Sequence, residues 1–342
     1  MRLRRSLPLC ILASALAFST AACGGGGDDD DGNQPDPVGD DNTYVVSKIH
    51  MPTTAAQANM FGLNLDGDEQ GRPDNALGQI LSTLAGQAGG SFDLQEAIDE
   101  QVNMGDIILL ANVQATALTT ATAVGTTVYL GDNPGTAPCV DANDTVCGLH
   151  LDGSTTFDVS AASPGRSMAT LVGQIVGGKL TGGPGKVTIE LSLVQGGEAL
   201  VVNLVGARVE IGAVTADTLM SGKLGGAITE EALDNDILPA LHTILSDTIA
   251  EDCTGTAAPC CEADSTGQLL IDLFDESEPQ DCVVTLEELK NNSLIASLLA
   301  PDVDLFDGDP ADDNFSPRTD GVKDSLSLGI GFNAVGGVFT PR

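Results

Sequence analysis

The sequence predicts an α+β fold that is mainly β: an antiparallel β-sandwich or open barrel with several flanking amphipathic helices. Three observations support this prediction. Between about residues 106 and 228, short segments of alternating apolar and polar residues are separated by glycine-rich turns, as is typical of antiparallel sheets. Segments with apolar residues at helical spacing lie on both sides of this β core. With 342 residues, 42% of them hydrophobic, the chain can form one large domain.

The strongest strand pattern covers residues 187–194, in which every second residue is apolar. Gly196 and Gly197 then predict a hairpin turn into a strand at 199–205. The alternation continues to Ile211 and directs Arg208 and Glu210 to the outer face. Further strands are predicted at residues 44–51, 60–65 and 326–339.

Helices are predicted where apolar residues recur every three or four positions. The first contains Leu77, Ile80, Leu81 and Leu84, and the second covers residues 94–102. Three more follow the β core: one around residues 237–249, a short one around 268–274, and one at 286–299, where Pro301 ends the pattern.

Residues 1–22 have the features of a secretory signal peptide: three arginines, an apolar run at 7–18 and small residues before Cys23. The segment Thr20-Ala21-Ala22-Cys23 resembles the signal of bacterial lipoproteins, whose mature first residue is a lipid-modified cysteine. The resemblance implies a membrane anchor at Cys23. Because Gly24 follows the cysteine, the resemblance also implies the outer membrane or cell surface within the cell envelope, on the periplasmic or extracellular face. The alternatives are an ordinary secretory signal, or a transmembrane anchor with an apolar core of only about 12 residues.

The remaining chain divides by composition. Residues 23–42 comprise Cys23 and a Gly/Asp-rich tether without apolar patterning. Residues 43–342 are predicted to form a single domain with three parts: the β core, a helical and Cys-rich part at about 229–300, and an acidic loop and strand at 301–342. The chain resembles lineage-restricted bacterial lipoproteins of uncharacterised function in three features: its signal segment, its tether and its acidic loop.

Acidic residues dominate the charge. The chain has 49 Asp and Glu against 14 Lys and Arg, a formal net charge of -35. Nucleic acids bind to positively charged surfaces, so this balance argues against a nucleic-acid partner. It leaves an unknown protein or small molecule as the partner, besides the membrane reached through the lipid anchor.

Six cysteines remain beyond the signal and the anchor. Cys139 and Cys147 are predicted to close a local loop, because an even number of cysteines in an exported chain favours disulfides. For the other four, two pairings are open: 253–260 with 261–282, or 253–261 with 260–282. A zinc site of four thiolates is the alternative, although no CxxC spacing is present.

The segment NLDGDEQGRPDN at residues 64–75 is the best candidate for a metal site. Calcium prefers several oxygen ligands on a tightly turning backbone. The segment resembles the calcium loops of dockerin and thrombospondin type 3 repeats, which implies calcium as a cofactor. The candidate ligands are Asn64, Asp66, Asp68 and Asp74. The alternative is an acidic turn before a helix.

Two weaker candidates lie further along the chain. The segment ending at Glu288 resembles the exit of an EF-hand loop, with Asp281 and Glu288 as calcium ligands. Thr285 and Glu288 also form an ordinary capping-box pattern, which explains them without a metal. The aspartates at 302–314 form either a solvated surface loop or a third cation site.

The sequence contains few of the residue patterns that are typical of catalytic sites. The histidines are His50, His150 and His242, and neither a G-x-S-x-G nor an H-E-x-x-H motif occurs. We therefore expect a protein that is not an enzyme but a structural or interaction module of the cell envelope, stabilised by calcium. The alternatives are a carrier of a small apolar ligand in the β core and a calcium-dependent exported hydrolase.

Overall fold

The computed structural model describes residues 35–342 apart from 88–93, 141–145, 192–199, 256–257, 263–264, 309 and 311–314. The predicted signal peptide, Cys23, most of the tether and the Gly196-Gly197 turn lie outside the described residues. The residues described from 35 onward belong to one compact unit.

Strands and helices alternate in blocks along the chain. The strands are β1 (Asp40–His50), β2 (Leu109–Ala115), β3 (Thr120–Asp132), β4 (Asp158–Val159), β5 (Thr170–Val176), β6 (Lys179–Gly182), β7 (Val187–Leu191), β8 (Leu200–Val214), β9 (Thr218–Thr229) and β10 (Ser325–Gly336). The α-helices are α1 (Ala55–Phe61), α2 (Ala76–Gln87), α3 (Leu94–Met104), α4 (Arg166–Ala169), α5 (Glu230–Ala232), α6 (Leu238–Asp252), α7 (Thr266–Phe274), α8 (Leu286–Asn291) and α9 (Ser293–Leu298). A 3₁₀ turn at Leu149–Leu151 and a π-helical turn at Leu233–Ile237 complete the description.

Eight of the strands form a closed antiparallel barrel in the order β1-β10-β9-β8-β6-β5-β3-β2, with β2 pairing back to β1. The mainly β fold with helices is confirmed. The sandwich alternative is wrong, and the barrel is closed rather than open. Closure depends on β1, because Val45 pairs with Val335 of β10 on one side and Leu110 of β2 on the other. These partners are far apart in sequence, so local patterns could not reveal the closure.

The barrel includes more of the chain than the predicted β core of 106–228. β1 and β10, which were predicted as strands outside that core, are neighbouring strands of the barrel. β1 begins at Asp40, so its first residues fall within the predicted tether. Asp41 is held there by an ion pair with Arg166 at 2.8 Å.

Side chains fill the inside of the barrel. Inward residues alternate along each strand, as Val209 and Ile211 do on β8 and Leu328 and Ile330 do on β10. The cavity that the structure describes inside the barrel has a volume of about 20 Å³ and is lined mostly by aliphatic side chains. That is space for about one water molecule. A small eight-stranded barrel is typically filled in this way.

The segment predicted as a strand at 60–65 is instead the end of α1 and the loop after it. Thr54 caps α1, since its hydroxyl accepts a hydrogen bond from the Gln57 amide. This local cap outweighs the apolar character of residues 60–65. The helices predicted at 77–84 and 94–102 are confirmed as α2 and α3.

The Cys-rich part forms a second apolar core beside the barrel. α6, α7, α8 and α9 bury Ile249, Ile271, Leu289 and Ile295 together with the half-cystines Cys260 and Cys282. The helix predicted at 286–299 is two helices, because Asn292 ends α8 and its side chain caps α9. Among the described residues, no helix has the length and apolarity needed to cross a membrane.

Candidate functional site

Two acidic loops that are distant in sequence meet on the outside of the barrel. Residues 62–75 and 302–324 share a small apolar cluster that covers β9 at Ala227; its other buried members are Leu63, Leu65, Val303, Leu305 and Phe306. Above this cluster, Lys323 contacts Asp66 at 3.4 Å and Arg318 donates a hydrogen bond to the Gly67 carbonyl at 3.1 Å. We call this contact between the two loops the acidic junction.

The four predicted calcium ligands lie on the first loop of the acidic junction. Asn64 exchanges two hydrogen bonds of 3.0 Å with the backbone of Asp68, and Asp66 Oδ1 accepts from the Asp68 amide at 3.0 Å. The Asp68 carboxylate accepts two hydrogen bonds from Arg72, one from the Arg72 side chain at 2.7 Å and one from the Arg72 backbone amide at 2.8 Å. Most of these oxygens are therefore engaged by donors of the same loop. Within the described ranges, no group of three His, Cys, Asp or Glu side chains is placed to hold a metal ion.

Asp74 lies at the inner side of the junction, where Asp74 Oδ2 accepts a hydrogen bond of 2.7 Å from the Leu65 amide. Burial raises the pKa of Asp74 to about 6, and the charges of Asp66 and Asp302 act in the same direction. Burial also raises the pKa of Asp302 and of Asp304. The junction thus concentrates carboxyl groups that are protonated more readily than ordinary aspartates.

Asp304 is the most unusual of these carboxyl groups. Its side chain is 3% exposed. Asp304 Oδ2 accepts a hydrogen bond from the Gly321 amide at 2.8 Å, whereas Oδ1 is buried and has no hydrogen-bond partner among the described residues. A buried oxygen without a donor is costly unless the group is protonated or bound to a cation.

The second predicted calcium segment forms turns and a helix cap instead of a common ligand set. Glu288 accepts hydrogen bonds from the Thr285 amide and hydroxyl at 2.8 Å, and a capping box is formed. Asp281 accepts from the Val283 amide at 3.1 Å. Asp275, which the sequence did not single out, organises the loop by accepting from the amides of Asp281 and Cys282.

All six predicted half-cystines are paired. The disulfides are Cys139–Cys147, Cys253–Cys261 and Cys260–Cys282. The prediction of a local bridge at Cys139 is confirmed, and the second of the two open pairings is the observed one. The zinc alternative is wrong for these cysteines, because disulfide sulfurs are not thiolate ligands.

The three histidines lie in separate parts of the structure. His50 stacks on Phe61, His150 is buried against Phe157, and His242 bonds to the Val284 carbonyl at 2.9 Å. Burial lowers the pKa of His50 and of His150. Each histidine thus has a contact typical of a structural role.

A groove of about 430 Å³ lies on the outside of the barrel, across β3, β5, β6 and β8. Its lining includes Arg208, Glu210, Gln174, Thr181 and Asn64. We call it the arginine groove. The predicted outward direction of Arg208 and Glu210 is confirmed, but the sequence did not indicate that they line a groove. A second depression, of about 670 Å³, is lined by residues 132–133, 156–159, 338–340 and 342.

Comparison with known proteins returned no match to this chain from family models, curated proteins or solved structures. The function must therefore be argued from the residues themselves.

Proposed function

We propose that this chain is a lipid-anchored protein of the cell envelope that acts as a non-catalytic interaction module. The observation that carries the proposal is the set of three disulfides, one in the connection between β3 and β4 and two in the Cys-rich helical part. Disulfides persist in oxidising compartments outside the cytoplasm. This agrees with the export-type segment at residues 1–22 and with a lipid at Cys23 as the anchor.

The non-catalytic part of the proposal is supported by how the candidate catalytic groups are engaged. The histidines make separate structural contacts. In the acidic junction, the Asp74 carboxyl group accepts a hydrogen bond from the Leu65 amide, and the Asp66 carboxylate pairs with the Lys323 side chain. The carrier alternative requires a large apolar cavity, whereas the described barrel interior holds about 20 Å³. We therefore do not propose a carrier function.

If a lipid on Cys23 anchors the protein, replacing Cys23 should release the protein from the membrane. Cys23→Ser is expected to move the protein from the membrane fraction to the soluble envelope fraction, because an acylated cysteine holds a protein at a bilayer through several buried chains. Cell fractionation, with mass spectrometry of the N-terminal peptide, measures this. Cys10→Ser, within the signal segment, is the matched control and should leave the protein in the membrane.

Two outcomes would contradict the proposal that Cys23 carries a lipid anchor. One is a wild-type N-terminal peptide with the mass of the unmodified residues. The other is equal membrane recovery of the wild type and Cys23→Ser.

Calcium enters the proposal as a stabilising ligand of the acidic junction. Supporting observations are the crowding of Asp66, Asp74 and Asp302, and the buried Asp304 oxygen without a donor. Calcium favours several carboxylate and carbonyl oxygens. To join the ligand set, Asp68 would have to exchange Arg72 for the ion.

The raised pKa of Asp74 predicts how stability depends on pH. Its folded pKa of about 6 lies above the ordinary value of 3.8, so the folded state binds the proton more tightly. The contribution of this group is complete below pH 4 and is lost as the pH rises to about 6. Asp74→Asn keeps an acceptor for the Leu65 amide without the charge. We expect it to be more stable than the wild type by roughly 1 kcal/mol at pH 7.5, allowing for solvent screening, and the difference to disappear near pH 4.

Thermal unfolding of both proteins between pH 4 and 7.5, with and without millimolar calcium, tests both ideas. Calcium should raise the melting temperature of the wild type at pH 7.5 and that of Asp74→Asn less. Asp234→Asn, on an exposed turn, is the control and should follow the wild type. No heat of binding in a calorimetric titration and no change in melting temperature would refute the calcium part. A difference between wild type and Asp74→Asn that does not vary with pH would refute the role of Asp74.

A further inference from the structure

Arg208 lies on the outer face of β8 between two positions that carry no side chain. Across one side it pairs with Gly225 of β9. Across the other side is Gly183, whose φ of +106° disfavours other residues. A Cβ on Gly183 would lie 2.9 Å from Arg208 Cα and 3.2 Å from Cγ. The two glycines leave the Arg208 side chain in a depression of the barrel surface.

The Arg208 guanidinium has no partner among the described residues. Its Nε is buried and donates no hydrogen bond to any described residue. Burial lowers the pKa of Arg208, while the charge of nearby Asp74 acts in the opposite direction without an ion pair between them. Other basic residues of this acidic chain are paired with carboxylates: Lys48, Arg72, Arg166, Lys223 and Lys323. A half-buried cation left unpaired among so many carboxylates is costly unless an anion is bound to it.

The arginine groove surrounds this cation with both polar and apolar groups. Thr122, Gln174 and Thr181 supply hydroxyl and amide groups, and the apolar wall consists of Pro35 and Val172, with the edge of the largely buried Leu63. The volume of about 430 Å³ is in the range of small-molecule sites. Glu210 borders the groove, but its carboxylate lies 3.7 Å from Lys223 and pairs with that residue instead of Arg208.

We propose that the arginine groove binds a small organic monocarboxylate, whose carboxylate pairs with Arg208 and whose apolar part contacts the groove wall. An arginine is well suited to carboxylates, since its planar guanidinium donates parallel hydrogen bonds. A single guanidinium beside Glu210, in a chain of net charge -35, favours a monoanion over a doubly charged phosphate, which would be repelled more strongly. This inference does not depend on the lipid anchor or on calcium.

Calorimetric titration of the purified protein with butyrate tests the proposal, with butyramide as the uncharged probe of the same shape. We expect saturable binding of one butyrate with a dissociation constant on the order of 1 mM, and at least tenfold weaker binding of butyramide. Arg208→Met keeps an unbranched apolar stem and removes the charge, so it should weaken butyrate binding at least tenfold. Lys179→Met, on the exposed end of the β5–β6 hairpin, should bind butyrate as the wild type does.

Thermal unfolding without ligand separates a binding role of Arg208 from a structural one. Because the variant removes an unpaired buried charge, Arg208→Met should melt at the wild-type temperature or roughly 2 °C or more above it. Three results would overturn the proposal: equal binding of butyrate and butyramide, undiminished butyrate binding by Arg208→Met, or a lower melting temperature for that variant. A variant with Asp28–Asp31 replaced by asparagine tests whether carboxylates of the chain itself occupy the arginine groove. Butyrate binding by that variant alone, and not by the wild type, would also overturn the proposal.

Discussion

Replacement of Asn75 by alanine is expected to lower the free energy of unfolding by about 3 kcal/mol or more. Asn75 is 4% exposed and makes four hydrogen bonds. Its Nδ2 donates to the carbonyls of Ala58 and Gly329 at 2.9 Å. Its Oδ1 accepts from the amides of Gly78 at 3.0 Å and Gly329 at 2.8 Å. One side chain thereby caps α2 and binds both α1 and the barrel.

The position of Gly329 explains why the loss is large. β1 pairs with β10 only from Gly331 onward, so the Asn75 amide takes the place of a neighbouring strand at Gly329. A Cβ on Gly329 would lie 2.7 Å from the Phe61 carbonyl oxygen, because α1 ends directly against it. Alanine at position 75 would leave the Gly329 amide buried without an acceptor, and it would remove the cap of α2.

Urea unfolding followed by far-ultraviolet circular dichroism measures this loss, and the chain has no tryptophan for fluorescence. Asn59→Ala is the matched control, since exposed Asn59 makes one side-chain bond to Gln79 at 3.0 Å. It should change the free energy of unfolding by less than about 0.5 kcal/mol. If Asn75→Ala were as stable as the control, the amide would not have the role of a strand substitute.

Removal of the Cys260–Cys282 disulfide is expected to destabilise the Cys-rich helices by about 3 kcal/mol. The bridge spans 22 residues, and both half-cystines are buried in the core of α6, α7, α8 and α9. That core is separate from the barrel interior, so the loss should be local. We expect hydrogen exchange of α6–α8 amides in the Cys260→Ala/Cys282→Ala variant to become roughly 100-fold faster, with β8 and β9 amides little changed.

The Cys139→Ala/Cys147→Ala variant is the control for this experiment. It also removes a disulfide, but one between neighbouring turns that closes a separation of 8 residues. Exchange of the α6–α8 amides should therefore match the wild type. Faster exchange throughout β8 and β9 in the Cys260→Ala/Cys282→Ala variant would instead show that the two cores unfold as one unit.

Local features of the structure could be predicted from the sequence because neighbouring residues determine them. The periodic apolar residues of α2 and α3, and the Thr285–Glu288 capping box, act within a few residues of each other. The predicted strand at 60–65 was wrong for a related reason: Thr54, upstream of that window, starts a helix that continues to Phe61.

The candidate sites were predicted less completely. The acidic residues at 64–75 and 302–314 were identified, but the contact between the described parts of these two loops depends on the packing of Leu63 and Leu65 with Val303 and Leu305. Asn75, directly before α2, is a typical helix-cap residue, but the sequence pattern did not single it out. Arg208 was placed on the outer face, and only strand pairing puts Gly183 and Gly225 at its sides.

The sequence by itself determined the acidic character, the mainly β composition, the cysteines available for bridging and most individual helices and strands. These depend on composition or on contacts between residues close along the chain. The tertiary structure alone decided that the barrel closes through β1, which of two disulfide pairings forms, and that Arg208 has no carboxylate partner among the described residues. Each of these depends on which distant segments pack together, and that packing is set by the summed burial and hydrogen bonding of the whole domain.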